Sequence, residues 1–144
     1  MKLSTFVVAT IGIVGAAAQR SFIANPIAGT TISPGQHITV QVIRPNSLQG
    51  STEVGLVIAL LQCREDPCPP PSSQLGNVLY NGQYNPVLHE QPGRPYQNFT
   101  VTVPGFQAGD GLNKAQLATA RFHLIGAGPS PTLELNTVQL NLKF

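Results

Sequence analysis

His37-Ile38-Thr39-Val40-Gln41-Val42, bracketed by Pro34-Gly35 before it and Pro45-Asn46 after it, decides the fold class. Ile38, Val40 and Val42 alternate with Thr39 and Gln41. Successive side chains of a strand point to opposite faces, so this period of two predicts a strand with one face in a core and one in water. Phe99-Thr100-Val101-Thr102-Val103 repeats the pattern. Val54 to Gln62 is apolar on both faces and predicts a central strand.

Outward from these runs, turn residues recur at short intervals: Pro26, Gly50, Gly76, Asn81-Gly82, Pro92-Gly93, Pro104-Gly105, Gly109 to Gly111 and Gly126 to Pro131. No segment keeps a helical period, and short strands at this spacing predict an all-β fold. Asn81-Gly82, flanked by Asn77 to Tyr80 and by Gln83-Tyr84, favours a type I′ hairpin turn because both residues tolerate positive φ. In Ala115 to Ile125 the apolar phase places Ala118, Ala120, Phe122 and Leu124 inward, with Thr119, Arg121 and His123 outward. That phase predicts a loss of about 3–5 kcal/mol for Phe122→Ala. Leu133 and Leu135 are out of phase with Val138, Leu140 and Leu142, which predicts a bulge near Asn136. With an opening strand near Ser21 to Ala28 the chain has about seven strands. The expected architecture is an immunoglobulin-like antiparallel β-sandwich, a single domain over residues 19–144.

Residues 1–18 are set apart from that domain. Met1-Lys2 is a short positive start, Phe6 to Ala18 is apolar, and Ala16-Ala17-Ala18 offers the small side chains a signal peptidase needs, with the cut before Gln19. The pattern is a secretory signal peptide, and its apolar run is too short to span a bilayer. The C-terminal Leu140-Asn141-Leu142-Lys143-Phe144 lacks the tail of a lipid-anchor signal. A secreted, extracellular protein without membrane insertion is expected. Charged residues are only 10% of the chain. Arg20, Arg44, Arg64, Arg94, Lys114, Arg121 and Lys143 are scattered, so nucleic acid is excluded as a partner. Cys63 and Cys68 are expected to form a local disulfide in an oxidising compartment. Its loop is short, so Cys63→Ser should cost little. Asn98-Phe99-Thr100 is the sole glycosylation sequon, and strand alternation turns Asn98 outward.

Candidate chemistry is sparse. Gly-x-Ser-x-Gly is absent, and with it the strained nucleophile turn of hydrolases. Glu53, Glu65, Asp66, Glu90, Asp110 and Glu134 fall mostly in turns or at outward positions, where solubility and turn formation account for them. His37, His89 and His123 lie in three separate segments without metal-ligand spacing, so no metal or cofactor is expected. Gly126 to Pro131 is a hairpin connection; no lysine or helical run follows to make it a phosphate loop. Two proline-rich stretches, Arg64 to Ser73 and Asn85 to Gln97, must be loops, because proline cannot donate to a sheet ladder. Binding usually resides on such loops. The candidate binding residues are Arg64, Glu65 and Asp66 on the first, and Tyr84, His89, Glu90 and Tyr96 around the second. The alternative platform is a sugar-stacking row of Tyr80, Tyr84 and Tyr96, without tryptophan.

Further residues carry a resemblance. Ile23-Ala24-Asn25-Pro26 is followed by Ile32-Ser33-Pro34-Gly35-Gln36-His37-Ile38-Thr39-Val40, then by Pro45-Asn46-Ser47-Leu48 and Glu53-Val54-Gly55-Leu56-Val57-Ile58-Ala59. Later come Phe99-Thr100-Val101-Thr102-Val103-Pro104, Ala115-Gln116-Leu117 and Ile125-Gly126-Ala127-Gly128-Pro129. In this order the chain resembles the fungal necrosis-inducing secreted protein family. The resemblance implies a small non-enzymatic effector that acts by protein binding, with plant immune-receptor kinases as the host partner. It transfers no functional residue, and the Cys63 to Pro71 loop looks like an insertion. Two other classes stay open: a cell-wall or glycan-binding module, and an enzyme with an unrecognised site.

Overall fold

The alternating runs become strands. The computed structural model describes residues 20–144, and the expected leader lies outside them. Among the described residues there are eight strands and no helix: β1 (Phe22–Asn25), β2 (Thr31–Ile32), β3 (His37–Ile43), β4 (Ser51–Gln62), β5 (Asn77–Gly82), β6 (Tyr96–Thr102), β7 (Lys114–Ile125) and β8 (Ser130–Leu142). They form a three-stranded sheet in the order β1-β3-β6 and a five-stranded sheet in the order β2-β8-β7-β4-β5. The two sheets make a sandwich, compatible with the immunoglobulin-like architecture expected. The extra strand is β2, two residues that pair parallel to β8 in an otherwise antiparallel scheme.

Inward residues of both sheets meet in one core. Val40 and Val42 of β3 and Phe99 and Val101 of β6 face Leu56, Ile58 and Leu60 of β4, Leu117 of β7 and Leu140 of β8. Burying such a side chain stabilises by about 1.5–3 kcal/mol.

Three local expectations are corrected. Asn81-Gly82 is not a hairpin turn: Asn81 pairs opposite Val57 and Gly82 opposite Leu56, so both belong to β5. No bulge occurs near Asn136, because β7 and β8 pair without interruption from Lys114↔Asn141 to Ile125↔Ser130. The phase of β7 is inverted. Thr119, Arg121 and His123 are buried, while Phe122 is 39% exposed on the outer face. The bulge lies in β4 instead, between Glu53 and Gly55. The extra residue there is Val54, which turns outward at 50% exposure and hands the inward place to Glu53. The Gly126 to Pro131 hairpin is where it was expected, joining β7 to β8.

After β4 the chain doubles back across the outer face of the five-stranded sheet. Gln116 donates to the Pro69 carbonyl at 2.9 Å, and Lys114 pairs with Asp66. Ala59, Leu61 and Ala118 are buried there although they point away from the core. Cys63 and Cys68 are disulfide-bonded at the root of this excursion. The bridge closes so short a loop that removing it with Cys63→Ser and Cys68→Ser is expected to cost less than about 3 kcal/mol in denaturant unfolding. A larger loss would mean that the bridge also holds the excursion against the sheet.

Candidate functional site

Two features stand out from the scaffold: a buried ionic cluster at one end of the sandwich, and an uncovered apolar area on one outer face.

The cluster follows from register. Pairing of β4 with β7 sets Glu53 opposite His123 and Leu56 opposite Arg121, and pairing of β7 with β8 sets Arg121 opposite Glu134. Arg121, 1% exposed, donates through Nε and Nη2 to the two oxygens of Glu53, at 2.7 and 2.5 Å, and through Nη1 to Glu134 Oε2 at 2.8 Å. Arg44, just beyond β3, adds a contact to Glu53 at 3.3 Å. Ser21, just before β1, donates its N–H and its hydroxyl to Glu134 Oε2, at 3.1 and 2.7 Å. Since Ser21 and Arg44 flank strands of the other sheet, the cluster ties the sheets together at this end.

The electrostatics follow. Burial disfavours the charge on Arg121, but hydrogen bonds to Glu53 and Glu134 outweigh it and raise its pKa. Burial likewise pushes Glu134 up, yet hydrogen bonds from Ser21 and Arg121 hold its carboxyl below the usual range. Burial and then the Arg121 charge lower the pKa of His123. Neither ring nitrogen of His123 has a hydrogen-bond partner, and Glu134 Oε1 stands 3.6 Å from Nε2. An unpartnered buried polar group costs about 1–3 kcal/mol.

The apolar area lies on the outer face of the five-stranded sheet, beyond the reach of the proline-rich excursion. Val54, Phe122, Leu133 and Val78 are exposed there and, with Val57 and Ala120, line a shallow depression of about 560 Å³. The outer face of the three-stranded sheet is polar along β3 and β6, with His37, Thr39, Asn98, Thr100 and Thr102 in register and exposed, and Phe22 is exposed at its β1 edge.

The residues singled out in the sequence are dispersed. Arg64, Glu65 and Asp66 are exposed at the head of the first loop, where Arg64 reaches Gln107 and Asp66 holds Lys114. His89 stacks on Tyr96 at 3.8 Å and Glu90 accepts from the Tyr96 hydroxyl at 3.5 Å, so these three do come together. Tyr84 does not join them. It is 1% exposed, packs near Phe99 and donates to the Val42 carbonyl, and burial pushes its phenol pKa up. Tyr80 lies against Phe99 at 4.6 Å and donates to Gln83. The sugar-stacking row is therefore not an exposed one. The first loop leaves the far end of β4, whereas the second is pinned to the Arg44–Gly50 connection at its start, through Asn46 to Gly93 and Arg44 to Pro95. They sit at opposite ends of the sandwich. His37 bonds Thr102, His89 is on its loop, and among the described residues no three His, Cys, Asp or Glu side chains group to hold a metal.

Glu53, Arg121 and Glu134 were missed as a unit. The one sequence signal was the out-of-phase Leu133 and Leu135 flanking Glu134; strand pairing alone brings the three together.

No curated protein matches the chain. The model of the Nis1 family matches residues 8–141, nearly the whole sequence and both sheets of the sandwich. The chain thus belongs to the Nis1 family of necrosis-inducing secreted fungal effectors.

Proposed function

We propose that the protein is released from its leader before Gln19 and acts outside the cell as a non-enzymatic effector. It binds a host protein through the uncovered apolar area around Phe122 and Leu133. The host partner is a plant immune-receptor kinase, as the resemblance implies. The observation that carries this reading is the asymmetry of the two outer faces. One is largely polar, with the Asn98 sequon on it and Phe22 exposed at its β1 edge; the other keeps four large apolar side chains in water. Exposing a contiguous apolar patch is unfavourable for a monomer and marks an interaction surface. Membership in a host-targeting effector family supports a host protein as its occupant. A glycan on Asn98 would project from the opposite face and leave the patch free. Arg64, Glu65 and Asp66, at the far end of β4 from the patch, offer a separate charged contact. His89, Glu90 and Tyr96 offer a second, polar-aromatic contact at the other end.

The patch sets its own test. Phe122→Ala removes a ring that contributes little to the core, so it is expected to cost only about 1 kcal/mol of stability, within the ordinary range for single substitutions. Binding to purified receptor kinase should weaken by tenfold or more, since aromatic anchors near the centre of an interface carry about 2 kcal/mol or more. Calorimetry on the same samples separates the two. Unaltered binding by the folded variant would move the interface elsewhere, with the Arg64–Ser73 and Asn85–Gln97 loops next in line.

A further inference from the structure

A polar pocket of about 190 Å³ opens where the Arg44–Gly50 connection passes over the inward ends of β4 and β7. Arg44, Gln49, Ser51, Arg121 and His123 are among its walls. His123 is only 2% exposed, yet both of its ring nitrogens lack partners. The pocket is the place from which a partner would reach them.

Its chemistry favours an acceptor. Arg121 spends three N–H groups on Glu53 and Glu134, and Arg44 spends one on Glu53. A guanidinium carries five, so both arginines keep donors free. The carboxylates are already engaged by Arg121, Arg44 and Ser21. The walls themselves carry two arginines and no carboxylate, so an anionic oxygen acceptor is what they lack.

Charge balance adds a condition. The groups that face His123 are Arg121 on its own strand, Glu53 on β4, Glu134 on β8 and Arg44 beyond β3. The two positive and two negative charges cancel while the imidazole is neutral. An anion placed here alone would leave an uncompensated buried charge, which is costly. A proton on His123 removes that cost and converts the imidazole into a donor at both nitrogens.

We propose that this pocket binds a small oxyanion of carboxylate or sulfate size together with one proton, which His123 carries. The site is independent of the apolar face on β4, β7 and β8, so either reading can fail without the other.

Sulfate and acetate are the probes, titrated into the secreted protein at constant ionic strength with sodium chloride as reference. The readout is the imidazole NMR signals, which resolve His123 from His37 and His89. The expected result is a saturable shift confined to His123. Its affinity should rise by up to about tenfold for each pH unit of acidification while His123 of the empty site is neutral, because one proton is taken up per anion. Arg44→Gln, at the pocket margin, should weaken binding at least tenfold while His37 and His89 keep their signals. His123→Gln keeps the volume and an N–H donor, and it should abolish the pH dependence. If sulfate shifts His123 no more than chloride does, or binds with an affinity independent of pH, the proposal is overturned. Saturation by one oxyanion but not the other would keep it and fix the ligand's shape.

Discussion

Arg121→Met is expected to lower the unfolding free energy by about 3–5 kcal/mol, because it leaves Glu134 without a counter-ion and Glu53 with only the Arg44 contact. The methionine would fill much of the space, so the loss is electrostatic and not a cavity effect. Glu53 and Glu134 would remain, and Glu134 would keep only Ser21 as donor. Replacing all three with Glu53→Leu, Arg121→Met and Glu134→Leu should recover most of the loss, since apolar residues of similar volume often substitute for a buried ionic triad at little cost. Urea unfolding of the single and triple variants decides it. A near-neutral Arg121→Met would mean that water reaches the cluster freely. The wild-type cluster also sets a pH profile. His123 and Glu134 both have lowered pKa values in the folded protein. Each therefore contributes stability that is full above its unfolded pKa and lost as pH falls toward its folded one. Acidification should weaken the fold first below about pH 6.5, where unfolded His123 takes a proton, and again below about pH 4.5 through Glu134.

Gly76→Ala should be the most damaging single-methyl change outside the core, at about 3 kcal/mol or more from backbone strain and overpacking together. Gly76 has φ +85°, and a Cβ there would lie 2.6 Å from both the Leu60 carbonyl oxygen and the Leu61 Cα. Those atoms belong to central strand β4 and cannot move aside without breaking its ladders to β5 and β7. Relief comes more cheaply by lifting the excursion off the sheet, which would expose Ala59, Leu61 and Ala118. Hydrogen exchange should then report faster exchange at Cys63 to Gly76 than in β3 or β6. Wild-type stability with Ala at this position would mean that the excursion is not seated on β4 as described.

The elements that were legible in the sequence share one trait: their inward face is apolar throughout. β3 and β6 alternate cleanly, and the central position of β4 follows from Leu56 to Leu61 being apolar on both sides. What alternation conceals is the polar end of the interior. Assigning Phe122 inward and Arg121 outward assumes that hydrophobicity marks the core side, and at this end the inward row is Thr119, Arg121 and His123. The same assumption turned the out-of-phase Leu133 and Leu135 into a bulge, when β8 runs straight and Glu134 and Asn136 simply face in. The bulge at Val54 lies within an apolar run where no alternation could betray it. Only pairing brings Glu53, Arg121 and Glu134 together, across up to 81 positions of chain. Tyr84 was misplaced for a related reason. Its position after Asn81-Gly82 suggested a hairpin, whereas the chain there crosses to the other sheet and buries the ring.

Quantitative binding of the secreted protein to purified plant immune-receptor kinase, beside a variant carrying Phe122→Ser and Leu133→Ser, is the most direct measurement of the effector reading. Saturable binding by the wild type, reduced at least tenfold in a variant that unfolds at a similar denaturant concentration, is the expected result. Equal binding by both proteins, or none by the wild type, would contradict the claim that this face of the five-stranded sheet engages the host.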